Sequence, residues 1–447
     1  MIKPERAALE ITARPAFRPP AVGVRWTHPA VLALIVLALA GVAAYVVRLL
    51  DWGNRPAWAY QAAFLMYLIS AVVSAPLVAY VTRATRAYWG LPVRRVSELF
   101  IVPALASYLL LIPILAALPP LEGRANLWFD FGWGPPFLTD ALAAGFLLLN
   151  GVALLWVGLV PDLAGPPSAM SSMPAWKRAL LLNWTGTPKQ WSVIKGATKL
   201  LGAFFLMSYI FTNMIVSTDL GQSLLPGWRS GIFPAYHALS GIQGGIALTI
   251  IALWFLRRFT SAGRFIGNEQ AINLGKLLLA TTLLWFYFFW SDFLLVWYAR
   301  LPGEVMAMQV QVAVVYLTPF LVAFSLVFLF PFAALIFNPV RRRLGPLALV
   351  ASMTVVGLLF DRIRYFVAPM SNDNPFQHRL AALPAAVMPD AIDVVFLVGW
   401  VAIVAVLFLL AASRLPVLSG WEMRQTAMLR REEKFMKGHV MVLGKPD

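Results

Sequence analysis

Lys276 and Asp292 lie in one apolar stretch, AINLGKLLLATTLLWFYFFWSDFLLVWY, residues 271–298. On a helix they stand about 24 Å apart at ~1.5 Å per residue. A charged side chain within an apolar span costs about 2.5–3.5 kcal/mol or more and marks a functional site by default. Asp292 is too short to reach water as a lysine can. It either pairs with Arg300 or Arg362 or takes part in proton transfer. Lys276 stands close to one end of the stretch, where a long stem can snorkel outward; the alternative is a place in a proton path. His237 is the one histidine of four placed well inside an apolar run. Imidazole titrates near neutrality, so His237 is either a hydrogen-bonding strut between helices or a proton acceptor. Tyr236 precedes it, and Gly241 and Gly245 follow at helical spacing, a small-residue seam along which another helix can approach. Asp219, Asp140 and the pair Asp361–Arg362 fall at the same ends of their runs as Asp292. Glu98, beside Arg94 and Arg95, opens another run from the opposite end. It reads as interfacial, or as a proton-path member together with Lys276 and Asp140.

These residues need helices to hold them. The 447 residues are 60% hydrophobic and 13% charged, with mean hydropathy +0.75, well outside the range of soluble domains. Runs of about 20 apolar residues predict an all-α membrane protein with ten spans: 30–49, 58–82, 97–118, 137–160, 196–218, 231–256, 271–298, 310–337, 345–366 and 391–412. Residues 1–29 and 413–447 are left as tails. Lys and Arg concentrate in both tails and in alternate connections, which predicts that both termini are cytoplasmic. The net charge of +16 is thereby a topology signal that also suits anionic lipid, and no nucleic-acid partner is expected. The first run is long enough to span and lacks a cleavage site, so it is expected to remain as the first helix. Trp52, Trp58, Trp89, Trp128, Trp133, Trp228, Trp297 and Tyr298 stand near span ends, as an aromatic belt would. Segment 119–136 (with LWFDFGWGPP) reads as an ordered loop, and 414–447 as a surface helix or docking element.

Several chemistries are excluded. There is no phosphate-binding loop, no nucleophile elbow, no HExxH and no dinucleotide glycine run. With no cysteine there is no thiolate for iron–sulfur, zinc or covalent haem. A single intramembrane histidine does not supply the two axial ligands of a b-haem, so no metal or haem is expected on this chain.

Residues 217–248, STDLGQSLLPGWRSGIFPAYHALSGIQGGIAL, resemble a region of the NrfD/polysulfide-reductase-type membrane subunits that reads approximately S-x-D-W-x-M-S-L-E-P-x-W-x-S. Residues 272–304, INLGKLLLATTLLWFYFFWSDFLLVWYARLPGE, resemble their D-L-G-K-L…W-x-Y-x-x-F-S-Q…W-Y-x-N-x-P-E-E. The branch most similar is the smaller NrfD-like subunit of alternative complex III, a bacterial quinol:electron-acceptor oxidoreductase. Asp219 matches the family aspartate, Leu274–Gly275–Lys276 the L-G-K, and Trp297–Tyr298 and Pro302 the closing motif. Leu225 stands for Glu, Gly227 where His is often found, Asn273 for Asp, Asp292 for Gln and Gly303 for Glu.

The resemblance implies a multi-pass inner-membrane subunit in a quinone-linked complex. Menaquinone or ubiquinone would bind near His237, Tyr236 and Asp292, and His237, Asp292 and Asp219 would accept or relay protons. The implied partners are an iron–sulfur/molybdopterin-type subunit, multihaem c-type cytochromes and a second NrfD-like subunit. The departures equally suit a subunit that only anchors its complex. A secondary transporter is the third reading. It is disfavoured by scattered prolines (Pro76, Pro103, Pro113, Pro319, Pro331) and by the lack of midplane charge, Asn150 being the nearest polar group there.

Overall fold

The structure, a computed structural model, describes residues 22–51, 53–119, 136–165, 173–435 and 438–443. Ten helices long and apolar enough to cross a membrane occur among them: α1 Pro29–Leu50, α2 Arg55–Ala84, α3 Tyr88–Ala116, α4 Phe137–Ala164, α5 Pro188–Leu224, α6 Phe233–Phe259, α7 Asn268–Ala299, α8 Leu317–Ile336, α9 Leu344–Ser371 and α10 Ala391–Arg414. The chain is thus an all-α multi-pass membrane protein. The tail adds α11 (Gly420–Leu429) and a two-stranded antiparallel hairpin, β1 Arg430–Phe435 with β2 Gly438–Leu443. The expected ordered loop at 119–136 lies almost wholly outside the described residues, as do Trp52, Trp128 and Trp133.

Local sequence explains the helix ends. Thr187 accepts the Gln190 N–H at 3.3 Å at the start of α5, and Asp390 accepts the Asp393 N–H at 2.7 Å at the start of α10. Such caps satisfy donors that have no partner within the helix. α7 stops where Arg300 turns left-handed at φ 50°.

α2 is the hub. Its most apolar window is buried on every side, and it packs on α9 and α6. The predicted glycine seam is where α2 and α6 meet. A Cβ on Gly241 would lie 2.7 Å from the Ser70 backbone, and one on Gly245 2.7 Å from the Ala75 nitrogen. α1 and α10 form a side pair, with Gly41 against Gly399. Their other end is latched by Arg48, which reaches Asp390 at 2.5 Å and Asp393 at 2.9 Å.

Three π-helical segments interrupt the spans and their approaches: Leu68–Val72 in α2, Gln309–Ala313 before α8, and Phe324–Leu329 in α8. A π turn shifts the hydrogen-bond ladder and leaves carbonyls for side chains. Here the Ser70 carbonyl lies 3.0 Å from the Tyr209 hydroxyl, and the Val327 carbonyl 3.1 Å from Gln243 Nε2. The Gln309–Ala313 turn also explains why α8 begins seven residues later than the predicted span: Val314 leaves the helical region at φ −127°.

Candidate functional site

A small cleft lies between the C-terminal part of α7, the 225–232 connection and the helix Pro302–Met308 with its π extension. It is lined by aromatic Trp228, Phe289, Phe293 and Tyr365 and by polar Ser230, Asp292, Glu304 and Gln311. Its cavity volume is about 30 Å³, room for one or two waters. The Ser230 hydroxyl donates to Asp292 Oδ1 at 2.5 Å. Ser230 Oγ in turn accepts the backbone N–H groups of Ile232 at 3.2 Å and Phe233 at 3.0 Å. The start of α6, with its positive dipole end, is thereby linked through one hydroxyl to the carboxylate. Asp292 is half-buried. Its partner is Ser230, where Arg300 or Arg362 had been expected.

The loop that carries Ser230 depends on two of the departures from the NrfD-like pattern. Gly227 sits at φ 84°, and a Cβ there would lie 2.8 Å from the Gly303 carbonyl oxygen. A histidine at 227 has no room in this packing, and a side chain at 303 would press on the Gly227 Cα at 3.3 Å. The two glycines answer one another.

Behind the aromatic wall lies a cluster with no exposure to solvent. Asp361 Oδ1 accepts the Tyr236 hydroxyl at 2.6 Å and Arg364 at 3.0 and 2.7 Å; Asp361 Oδ2 accepts Arg362 at 2.7 Å. Arg362 also donates to Ser70 Oγ at 3.2 Å, Ser240 Oγ at 2.7 Å and the His237 carbonyl at 3.3 Å. One carboxylate thus serves two guanidinium groups. The excess positive charge lies toward the cleft, because the Arg364 guanidinium stacks 3.8 Å from the Tyr365 ring centre and 5.8 Å from that of Phe289. Both rings line the cleft.

This cluster corrects two expectations. Asp361 and Arg362 do not close their span: α9 runs on to Ser371, which places them nearer its middle than its end. Hydropathy falls at D-R-I-R, but the charges satisfy one another and residues 363–370 are buried around them. Charge is therefore present near the middle of α9, and Arg364 is the residue that sequence reasoning passed over. Its signal was visible as acid and base at i, i+3 within an apolar run.

The other sequence-selected residues scatter. His237 is wholly buried on α6, its ring against Phe233 and Phe366, and neither imidazole nitrogen has a hydrogen-bond partner among the described residues. No hydrogen bond joins it to Asp292; Phe233 and Tyr365 stand in the connecting aromatic stack. Tyr236 belongs to the Asp361 cluster. Asp219 and Asp140 are buried near the C-terminal end of α5 and the N-terminal end of α4, and neither lines the cleft.

Lys276 is exposed on α7 at the opposite end. Glu98 is buried inside the bundle. α3 begins at Tyr88, so Glu98 lies well within it, 1% exposed and ion-paired with Arg83 and with Arg95 at 3.8 Å. Arg95 reaches Asp162 at 3.1 Å, and Glu422 of α11 meets Arg94 at 3.2 Å. Trp58 and Trp228 are likewise core residues, 0% and 7% exposed, whereas Trp297 and Tyr298 face outward. No family model matches this chain, and no curated protein matches it.

Proposed function

We propose that this chain is a membrane subunit of a bacterial quinol:electron-acceptor oxidoreductase of the alternative complex III type, with both tails cytoplasmic. In this reading the cleft takes protons from a quinol at the outer side of the membrane. The observation that carries the reading is Asp292, a carboxylate on a half-buried helix face, held by Ser230 at 2.5 Å inside an aromatic-walled cleft. The resemblance of residues 217–248 and 272–304 to NrfD-like subunits supplies the substrate class.

Oxidation of a quinol releases two protons and two electrons. The Asp292 carboxylate accepts one hydroxyl proton as general base and the second passes to water in the cleft, while the Ser230 hydroxyl fixes the orientation of that carboxylate. Arg364 lies behind Phe289 and Tyr365, its guanidinium 3.8 Å from the Tyr365 ring centre, and closes the inner side of the aromatic wall. The electrons pass to iron–sulfur or haem centres of partner subunits, since this chain has no cysteine to ligate them. Phe289, Phe293 and Trp228 give a quinol ring apolar faces at the mouth, with only its hydroxyl reaching the polar floor.

The cavity volume of about 30 Å³ favours a second reading, a subunit that anchors its complex while the quinol binds elsewhere. The two separate in the complex purified with its native partners. Asp292→Asn is expected to lower quinol oxidation about 100-fold or more with assembly intact. Unchanged turnover in that variant would leave only the anchor.

A further inference from the structure

At the end of the bundle opposite the cleft, a group of cations has no acid to answer it. Lys276 stands on the exposed side of α7, about 12 Å in from the helix start at ~1.5 Å per residue. Beside it Gly275 leaves room for Arg341 to lie across the helix: a Cβ on Gly275 would be 3.1 Å from Arg341 Cγ. Arg341 donates to Asn338 Oδ1 at 2.6 Å and to the Ile336 carbonyl at 3.4 Å, and its buried Nε has no partner among the described residues. Arg342 and Arg343 are exposed. Like that of Lys276, their side chains make no hydrogen bond or ion pair among the described residues. Arg257 and Arg258 close α6 at the same end. Across residues 254–276 and 336–345 the one acid is Glu269, and it is held by the Tyr88 hydroxyl.

The flank of this cationic seam is apolar. Ile336 is 50% exposed, Phe337 63% and Phe259 65%. A free phosphate would satisfy the cations and leave those side chains uncovered. An amphiphile with an anionic head answers both. Lys276 approaches such a head from the acyl-chain side because it sits deeper along its helix than the arginines of the connection, and a lysine there gains by meeting a phosphate at the interface. From this juxtaposition we infer that the seam between α7 and the helix Asn338–Arg342 binds an anionic phospholipid. Its phosphate is held between Lys276 and Arg342–Arg343, and its acyl chains run along Ile336 and Phe337. The site is independent of the quinol reading and lies at the other end of the molecule.

The test reconstitutes the full chain in phosphatidylcholine nanodiscs and titrates in cardiolipin, with the thermal midpoint and retained lipid as readouts. Wild type is expected to gain stability and to retain cardiolipin through purification. Lys276→Gln and the double variant Arg342→Gln/Arg343→Gln should each weaken retention at least tenfold, whereas Lys276→Arg should keep it. Arg178→Gln, which removes a positive charge from the 161–195 connection, should also leave retention unchanged. Equal losses in Arg178→Gln would reduce the effect to general surface charge and overturn the site. Equal stabilisation by inorganic phosphate in detergent would overturn the lipid assignment, as would undiminished retention in the Lys276 and Arg342/Arg343 variants.

Discussion

At the residue scale, the Asp361 cluster bears on stability and the Asp292 cleft on the proposed chemistry. Breaking a buried ion pair by removing one partner costs about 3–5 kcal/mol, because the other charge stays buried. Asp361 serves Arg362 and Arg364 together. Asp361→Asn is therefore expected to destabilise the chain by at least that amount, read as a fall in the denaturation midpoint in detergent. A change below about 1 kcal/mol would mean that the arginines find other partners. His237 makes the opposite case. An unpaired buried polar group costs about 1–3 kcal/mol, so His237→Phe is expected to be neutral or stabilising toward thermal denaturation. A clear loss of stability would show that the ring is held by a partner after all.

These residues also show where sequence reading stops. Asp292 and His237 stood out as polar groups in apolar runs, which needs only neighbours along the chain. The Ser230 partner lies 62 residues before Asp292, and Tyr236 lies 125 before Asp361. Such distant pairing is set by helix packing and leaves no periodic trace. Arg362 therefore looked like a partner for Asp292, when its charge is already spent on the aspartate beside it.

At the element scale, the outrigger pair α1–α10 turns on one glycine contact and one ionic latch. The pair was not visible in the sequence, where two apolar runs at opposite ends of the chain carry no mark of adjacency. Burial works to raise the Asp390 carboxyl, but the Asp393 backbone N–H and the Arg48 guanidinium outweigh it and hold the group below the ordinary carboxylate range. A carboxyl lowered in the folded state contributes stability above its unfolded pKa of about 3.9. That contribution is lost as pH falls through the lower folded value. Acid titration of the wild type below about pH 4 should therefore loosen α1, followed by proteolysis at the 51–54 connection or by a fluorophore on α1. In Asp390→Asn the acid-dependent part should shrink. An identical titration in both forms would remove Asp390 from the latch.

The spans themselves were legible because a membrane leaves little choice: about 20 apolar residues must form a helix that satisfies its own backbone. Their ends were less so. α3 and α9 each extend well past the hydropathy limits because Glu98 and Asp361 are paired inside the bundle. A hydropathy window cannot distinguish a paired charge from a solvated one.

At the scale of the whole molecule, the bundle has two different ends. One holds the cleft, with the Asp361 cluster set deeper behind it. The other holds the Arg83–Glu98–Arg95–Asp162 network, sealed by Glu422 of α11, and the cationic seam around Lys276. Composition announced a polytopic protein, and two of the segments singled out in the sequence, the connection before α6 and the later part of α7, both line the cleft. The most direct measurement is quinol oxidation by the complex purified with its native partners, comparing wild type with Asp292→Asn and scoring assembly in parallel. The quinol reading requires turnover to fall about 100-fold or more while the complex remains whole. An assembled Asp292→Asn complex that oxidises quinol at the wild-type rate would contradict it.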